Sequence, residues 1–387
     1  MIKFKKFAAS IVASALASLL IFSGCQLHVI DDPQSSKESS SQSSGTTVTP
    51  STPKTTSDTS APTDEITPAM WKVTDSSGNY IYMMGSIHAG DEAVDHMPGY
   101  FETIYAKCDA IAVEADITVA TSDLSLSMEI LKSMKYDDDT KIYDHIPKET
   151  YDNAVAILKE NNLYINLYDN YNASLWSSLM ESAALKQSGL DTNKGVDSTI
   201  IKRAKNDGKE VLEVESIQFQ LDLLNSISDE LNALLLEQYT YEGAFDRQVE
   251  AVKQLYSHWK TGTLNEENIN GEDISDQAAE VSLTEEQQKL LEDYNNNLLV
   301  ERNKGMADKA EEYMNSDQVV LLIVGAAHFY GDDGILQLMK DKGCTVTPIT
   351  AKDAELLESS AQQSSEAEEP DNETADDETL ESLEEAA

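Results

Sequence analysis

Two apolar segments far apart in the chain end in the same short motif, a glycine followed three positions later by a histidine. The first segment, Ile81–Met84, precedes Gly85-Ser-Ile-His88, and the second, Val319–Val324, precedes Gly325-Ala-Ala-His328. Aliphatic runs that end at glycine are typical of strands buried on both faces, and glycine lets the chain turn sharply where the strand stops. Because ligands bind outside the carboxyl ends of strands in open α/β sheets, we expect both histidines at a functional edge of one sheet.

A third apolar segment places an acidic residue at the same predicted edge. Residues Asp109–Val113 have the pattern of a short strand and are followed directly by Glu114. Two neutral imidazoles and one carboxylate suit a divalent cation and leave room for water or substrate. The pattern therefore predicts a metal site at His88, His328 and Glu114, although each residue taken alone also fits an ordinary structural role.

Further short motifs accompany these strands in a fixed order along the chain. They are Gly195-Val-Asp197, Gly208–Glu215, Glu301-Arg302-Asn303-Lys-Gly-Met306 and Gly331-Asp-Asp-Gly334. Together with the two Gly-x-x-His motifs and Glu114, this set resembles the TraB/GumN proteins, which include the Tiki metalloproteases, over about Ala69 to Thr350. The resemblance implies a divalent metal held by the paired motifs and the glutamate, and peptidase activity as in the Tiki branch. It implies no particular substrate for a bacterial member.

The order of strand, Gly-x-x-His, helix and strand occurs at both ends of this span. The helix pattern at Phe101–Lys107 leads to the strand before Glu114, and the helix pattern at Ile335–Lys342 leads to a last strand that ends at Ile349. A strand, a helix and a parallel strand form a βαβ unit. We predict an α/β (α+β) domain in which two related βαβ-like halves form a small mixed central sheet surrounded by many helices. Erythromycin esterases and some haem-iron binders resemble this architecture.

A long helix pattern, Gln287–Met314, carries Arg302 and Asn303. An arginine among many acids commonly forms a structural ion pair, whereas the resemblance implies that Arg302 clamps a substrate carboxylate or orients Glu114. In a hydrolase, Arg302 or Asn303 would stabilise the charge that develops in the transition state. Glu114 would either complete the ligand set or act as the general base.

Other polar residues near the predicted strands leave alternatives open. Asp197 and Glu215 lie next to the predicted sheet, and either could accept a hydrogen bond from an imidazole and so fix its tautomer. Cys108 and Cys344 each precede a predicted strand. An exported protein permits a disulfide between them, but buried free thiols fit the sequence equally well.

The first 25 residues have the pattern of an export signal. Three lysines precede an apolar stretch from Phe7 to Phe22, and Ser23-Gly24-Cys25 follows. The apolar stretch is shorter than the span of about twenty residues that crosses a membrane, and small residues before a cysteine resemble a lipobox. We predict a lipoprotein signal peptide over 1–25 and a lipid on Cys25 that anchors the chain to the extracytoplasmic face of the cell membrane. Cleavage by ordinary signal peptidase, without a lipid, is the alternative.

Composition changes on both sides of the predicted domain. Residues 26–68 are rich in Ser, Thr and Pro, and residues 353–387 are acidic and contain no Lys or Arg. Such segments cannot bury enough apolar surface to offset the entropy lost on ordering. We therefore predict a disordered linker, a TraB/GumN-like domain over 69–352 and a disordered acidic tail.

Charge and missing motifs narrow the functional classes. The chain has 70 acidic and 28 basic residues, which argues against nucleic acid as a partner. It lacks a phosphate-binding loop, a nucleophile elbow and a His-Glu-x-x-His helix. We predict a surface-anchored hydrolase, a peptidase that uses Mn²⁺, Co²⁺ or Zn²⁺ and acts on a peptide or protein. The alternatives are a surface protein that captures a peptide or a haem-like ligand without turnover, and an esterase in which the histidines act as general bases without a metal.

Overall fold

The computed structural model describes residues 66–269 and 283–350. The predicted signal peptide with Cys25, nearly all of the predicted linker and the predicted acidic tail lie outside these residues. The end of the predicted linker belongs to the folded domain, because Ile66 is buried and the Thr67 N–H donates a hydrogen bond to the Lys260 carbonyl at 2.6 Å. Among the described residues, no helix has both the length and the apolar character needed to cross a membrane.

One mixed sheet forms the centre of the described domain. Its strands are β1 Met70–Thr74, β2 Tyr80–Ser86, β3 Ala110–Val113, β4 Glu210–Glu213, β5 Val320–Gly325 and β6 Thr345–Pro348, in the spatial order β4-β3-β5-β2-β1-β6. Strands β4, β3, β5 and β2 are parallel, and β1 is antiparallel to both of its neighbours. Ser86 pairs with Gly325, and Val113 pairs with Ile323. Both Gly-x-x-His motifs and Glu114 therefore leave the sheet at the same edge.

Helices surround this sheet. They are α1 Gly99–Lys107, α2 Ile117–Ser122, α3 Leu124–Ser133, α4 Ile142–His145, α5 Lys148–Glu160, α6 Ala173–Ser188, α7 Val196–Asn206, α8 Ile217–Asn225, α9 Asp229–Glu237, α10 Ala244–Lys260, α11 Glu266–Ile269, α12 Glu285–Asn295, α13 Glu301–Met314 and α14 Ile335–Asp341. The chain also forms 3-10 helices at Glu92–Asp95, Asn166–Asn170, Thr192–Lys194 and Ala326–Phe329. A π turn, Asn296–Val300, joins α12 to α13, where the sequence predicts an uninterrupted helix.

Strand β5 shows why the sheet is the core of the domain. Leu321 and Ile323 pack on one face with apolar residues of α1 and α7, whereas Leu322 and Val324 pack on the other face with α13 and α14. Every residue of β5 is buried. A strand covered on both faces consists of continuous apolar residues, as the sequence does here.

The predicted fold class is confirmed, because the sheet is mixed and helices cover both of its faces. The units β2-α1-β3 and β5-α14-β6 share their element order and start from the two adjacent central strands. Their crossovers differ: the first passes over β5 alone, and the second passes over β2 and β1.

The two cysteines in the described chain are both free thiols. Cys108 is buried at the start of the β3 segment, and burial raises its thiol pKa to about 12. Cys344 is half-buried beside β6. Of the two alternatives, the structure therefore contains the free thiols, and no disulfide joins Cys108 to Cys344.

Candidate functional site

His88 lies two residues beyond the end of β2, against the first turn of α7. Its backbone is so close to that turn that a side chain at Gly195 would come within 2.4 Å of the His88 carbonyl oxygen. The His88 Nδ1 atom is 2.8 Å from Asp197 Oδ2, and the Ser86 hydroxyl donates to Asp197 Oδ1 at 2.6 Å. A carboxylate can only accept, so Nδ1 carries the proton and the Nε2 lone pair is available to a ligand.

The pKa of His88 reflects two opposing effects. Burial lowers the pKa of His88, but the negative charge of Asp197 and its hydrogen bond outweigh burial and raise the pKa above the usual 6.5. The same contact thus orients the ring and makes it a stronger base.

His328 is held in a corresponding way by an amide. It follows β5 on the 3-10 turn Ala326–Phe329, and its Nδ1 atom is 2.6 Å from Asn303 Oδ1. The Asn303 NH₂ group donates to the Asp333 carbonyl at 2.8 Å, so Oδ1 is the amide atom that faces the ring. Nδ1 of His328 therefore carries the proton, and Nε2 is again the free acceptor. Burial, assisted by the positive charge of Arg302, lowers the pKa of His328 to about 3 and keeps the ring neutral.

Glu114 follows β3 and is fixed through both of its oxygens. Oε1 accepts a hydrogen bond from the Gly325 N–H at 2.6 Å, and Oε2 accepts from Arg302 Nη2 at 2.8 Å. Burial raises the pKa of Glu114, but the charge of Arg302 more than offsets it, with smaller contributions from the histidines, and the pKa falls to about 2. Glu114 is therefore ionised at neutral pH.

Arg302 connects Glu114 to a second buried carboxylate. Its Nε and Nη2 atoms donate to the two oxygens of Glu215 at 2.7 and 2.8 Å, and Nη1 donates to the Leu298 carbonyl in the π turn at 3.3 Å. Each nitrogen of the guanidinium thus donates at least one hydrogen bond within the protein. These contacts fit both a structural ion pair and a residue that orients Glu114, and the clamp on a substrate carboxylate stays a prediction.

The two histidines and Glu114 meet above Gly325. A methyl group placed on Gly325 would lie 3.0 Å from Glu114 Oε1, 3.5 Å from His328 Cδ2 and 3.7 Å from His88 Nε2. His328 Nε2 is 3.7 Å from Glu114 Oε1. The three side chains predicted from the sequence thus surround a single point at the sheet edge.

These donors match a divalent cation in chemistry. Each imidazole presents an unprotonated Nε2 while its Nδ1 is held by Asp197 or Asn303, which is the usual environment of a metal-ligating histidine. Glu114 adds a charged oxygen. The described residues contain no group of three or more His, Cys, Asp or Glu side chains at distances that would already hold a metal ion.

Some features of the site are absent from the predictions. Gln220 on α8 donates at 3.3 Å to Glu114 Oε2 and at 3.2 Å to Glu215 Oε2, and its own Oε1 is buried without a partner in the described structure. No motif surrounds Gln220, so the sequence holds no signal for it. The Asn303 amide contacts His328 through its oxygen and the Asp333 carbonyl through its NH₂ group, and its stabilisation of a transition state stays a prediction.

Fold and site together define a class of protein: a mixed α/β domain that gathers two strand-end histidines and a glutamate at one sheet edge. The sequence profile of the TraB/PrgY/gumN family matches residues 69–348. The chain belongs to this family.

Curated relatives of the chain carry no described activity. The chain is 24% identical over 271 residues to "Uncharacterized protein YbaP" of Escherichia coli (strain K12), an alignment that covers 69% of this chain and 90% of the relative. A protein of the same name in Shigella flexneri matches with the same identity and coverage. No solved structure is a significant match.

Proposed function

We propose that this chain is a metal-dependent hydrolase that cleaves peptides or proteins at the outer face of the cell membrane. The observation that carries the proposal is the convergence of His88 Nε2, the His328 ring and Glu114 Oε1 around Gly325. The lipobox pattern at Cys25 supports the location, since a lipid there would anchor the domain at the surface.

In this proposal His88, His328 and Glu114 hold the cation. A divalent cation bound there supplies activation of water and polarisation of the scissile carbonyl. Water is added across the peptide bond, which breaks to give a carboxylate and an amine. Asp197 and Asn303 keep both Nε2 atoms directed at the site, so that little ordering remains to be done when the cation binds.

Glu114 fits the role of ligand better than that of general base. Efficient proton transfer at neutral pH favours a base whose pKa lies near 7, whereas the charge of Arg302 outweighs the effect of burial and holds the pKa of Glu114 well below its usual range. Both of its oxygens also accept strong hydrogen bonds from the protein. The carboxylate is therefore rigid and charged, as a ligand should be.

A peptide-cleavage assay with the full-length chain tests the proposal. The chain is loaded with Mn²⁺, Co²⁺ or Zn²⁺ and incubated with a mixed peptide library, and new termini are identified by mass spectrometry. We expect cleavage that a chelator abolishes, that returns with the cation and that His328→Ala lacks. Cleavage that persists in the chelator would contradict metal dependence, and the absence of new termini with all three cations would favour capture without turnover.

A second candidate rests on the His88–Asp197 contact. A histidine held at 2.8 Å by a buried carboxylate, with a raised pKa, is also the arrangement of a general base. An esterase that uses this pair directly, without a metal, would hydrolyse a simple ester such as 4-nitrophenyl acetate in the presence of chelator. Asp197→Asn would then lower the rate and shift the pH profile, and an unchanged profile would exclude this candidate.

A further inference from the structure

An apolar cavity lies directly beside the candidate site. It has a volume of about 70 Å³, and His88 and Gly325 form part of its wall. Its wall also includes aliphatic side chains from α6, from the segment that follows α6 and from α10: Leu185, Leu190, Val252 and Leu255. The cavity and the candidate site therefore share His88 and Gly325, so a molecule bound in the cavity lies next to the candidate metal ligands.

The aliphatic wall is incompletely packed within the described chain. Leu185, Leu190, Val252 and Leu255 are half-buried, although each faces a concave region. Leu185 and Val252 belong to none of the hydrophobic clusters formed by the described residues. Half-exposed aliphatic side chains around a concave site are the usual lining of a pocket that takes an apolar group.

The described wall has few polar side chains, namely those of Ser86, His88 and Thr192. Ser86 donates its hydroxyl proton to Asp197, so this donor is already used. His88 is the ionisable residue in the part of the wall that the structure describes. Away from His88 the described wall carries no ionisable side chain, so a charged group that fills the aliphatic part of the cavity would lose its hydration without a charged partner there, which is unfavourable.

We propose that this cavity is a specificity pocket for the aliphatic side chain of the substrate residue next to the cleaved bond. The proposal rests on the proposed peptide hydrolysis and adds the class of substrate. Since a cavity of about 150 Å³ holds a benzene ring, a cavity of about 70 Å³ is too small for an aromatic ring and takes a small branched aliphatic group such as that of valine.

Binding of small probes tests the pocket without requiring catalysis. The full-length chain is titrated with N-acetyl-valine amide and with N-acetyl-glutamine amide, and binding is followed by ligand-observed NMR. We expect the valine probe to bind at least about tenfold more tightly, because the side-chain amide of glutamine would lose its hydration among aliphatic side chains. Equal affinity for the two probes would overturn the proposal.

Matched variants locate the probe. Val252→Trp fills the cavity and should weaken valine-probe binding at least about tenfold. Lys253→Trp adds the same bulk to the exposed side of α10 and should leave binding unchanged. If Val252→Trp does not fold, Leu185→Ala replaces it, because it enlarges the pocket and should allow N-acetyl-phenylalanine amide to bind. If neither cavity variant changes binding of the probes, the probe binds elsewhere and the pocket proposal is rejected.

Cleavage data separate the two proposals. If the valine probe binds at the pocket but no peptide is cleaved, the pocket stands and the proposed hydrolysis fails. If peptides are cleaved with no preference for leucine, isoleucine, valine or methionine beside the cut, and Leu185→Ala leaves the pattern unchanged, the hydrolysis stands and the pocket fails. Support for both requires an aliphatic preference that Leu185→Ala widens to aromatic residues.

Discussion

Replacement of Arg302 by methionine should destabilise the fold far more than loss of an ordinary surface ion pair. Methionine keeps much of the side-chain volume but removes the charge. Arg302 donates three hydrogen bonds to Glu114 and Glu215 at 2.7 to 2.8 Å. Its side chain is 2% exposed, and those of its partners are 6% and 9% exposed. Arg302→Met therefore leaves two buried carboxylates without a counter-charge, and breaking such a buried pair costs about 3–5 kcal/mol.

Arg203 provides the matched control. It binds Glu102 through two hydrogen bonds of 2.7 and 2.6 Å, which is the same kind of two-point contact. Here, however, the arginine and glutamate side chains are 35% and 41% exposed. An exposed pair of this kind contributes about 0–1 kcal/mol, so Arg203→Met should have a small effect.

Equilibrium urea unfolding measures both variants. The fluorescence of the buried Trp71, Trp176 and Trp259 reports the loss of the core. The stability deficit of Arg302→Met should grow between pH 5 and pH 8, because a buried carboxylate without its arginine has a raised pKa and is destabilising when it ionises. Glu215→Gln in the Arg302→Met background should recover part of the loss. A deficit no larger than that of Arg203→Met would refute the reasoning.

Two further predictions concern Gly325 and His328. Gly325→Ala places a methyl group 3.0 Å from Glu114 Oε1, so the carboxylate must shift. The affinity for a divalent cation, measured by calorimetry, should therefore fall about 10- to 100-fold. Gly305→Ala is the control, because the space around Gly305 is open and this variant should bind the cation normally. An unchanged cation affinity of Gly325→Ala would show that Gly325 is not part of the cation site. The pKa of His328 is about 3 in the folded chain, below the usual 6.5. As the pH falls, the unfolded chain therefore binds a proton at this residue before the folded chain does. Stability is lost as the pH falls from about 6.5 toward 3. In chelator, His328→Gln should lose less stability than the wild type between pH 7.5 and pH 5.5, and parallel curves would contradict a buried neutral imidazole.

Local patterns predicted the elements that carry the site. The β2 and β5 strands and their Gly-x-x-His ends were visible because each is a continuous apolar run that stops at a glycine, and both strands are buried on both faces. Glu114 was visible for the same reason, since β3 is short, apolar and buried. Parallel strand order then brings their carboxyl ends together, which is a property of the fold class rather than of any one residue.

Contacts between distant elements were not predictable in the same way. Whether Arg302 binds Glu215 depends on how α13 packs over the sheet. Arg302 and Glu215 are 87 positions apart, so no local pattern predicts their contact. Gln220 reaches Glu114 over 106 positions and has no motif around it. Asn303 lies beside Arg302 in sequence, but its neighbour in space is His328, so its role as a positioning residue appears in the structure alone.

Metal binding by the full-length chain tests the central claim most directly. Element analysis and calorimetric titration with Mn²⁺, Co²⁺ and Zn²⁺ are carried out on the wild type, His88→Ala, His328→Ala and His145→Ala. His145 is the control, because its Nδ1 is also 2.8 Å from an aspartate, Asp229, while its Nε2 is already in contact with Thr140. We predict one tightly bound cation per chain that His88→Ala and His328→Ala lose and His145→Ala retains, with all variants folded by the urea assay. No bound cation, or binding that survives both site substitutions, would contradict the account.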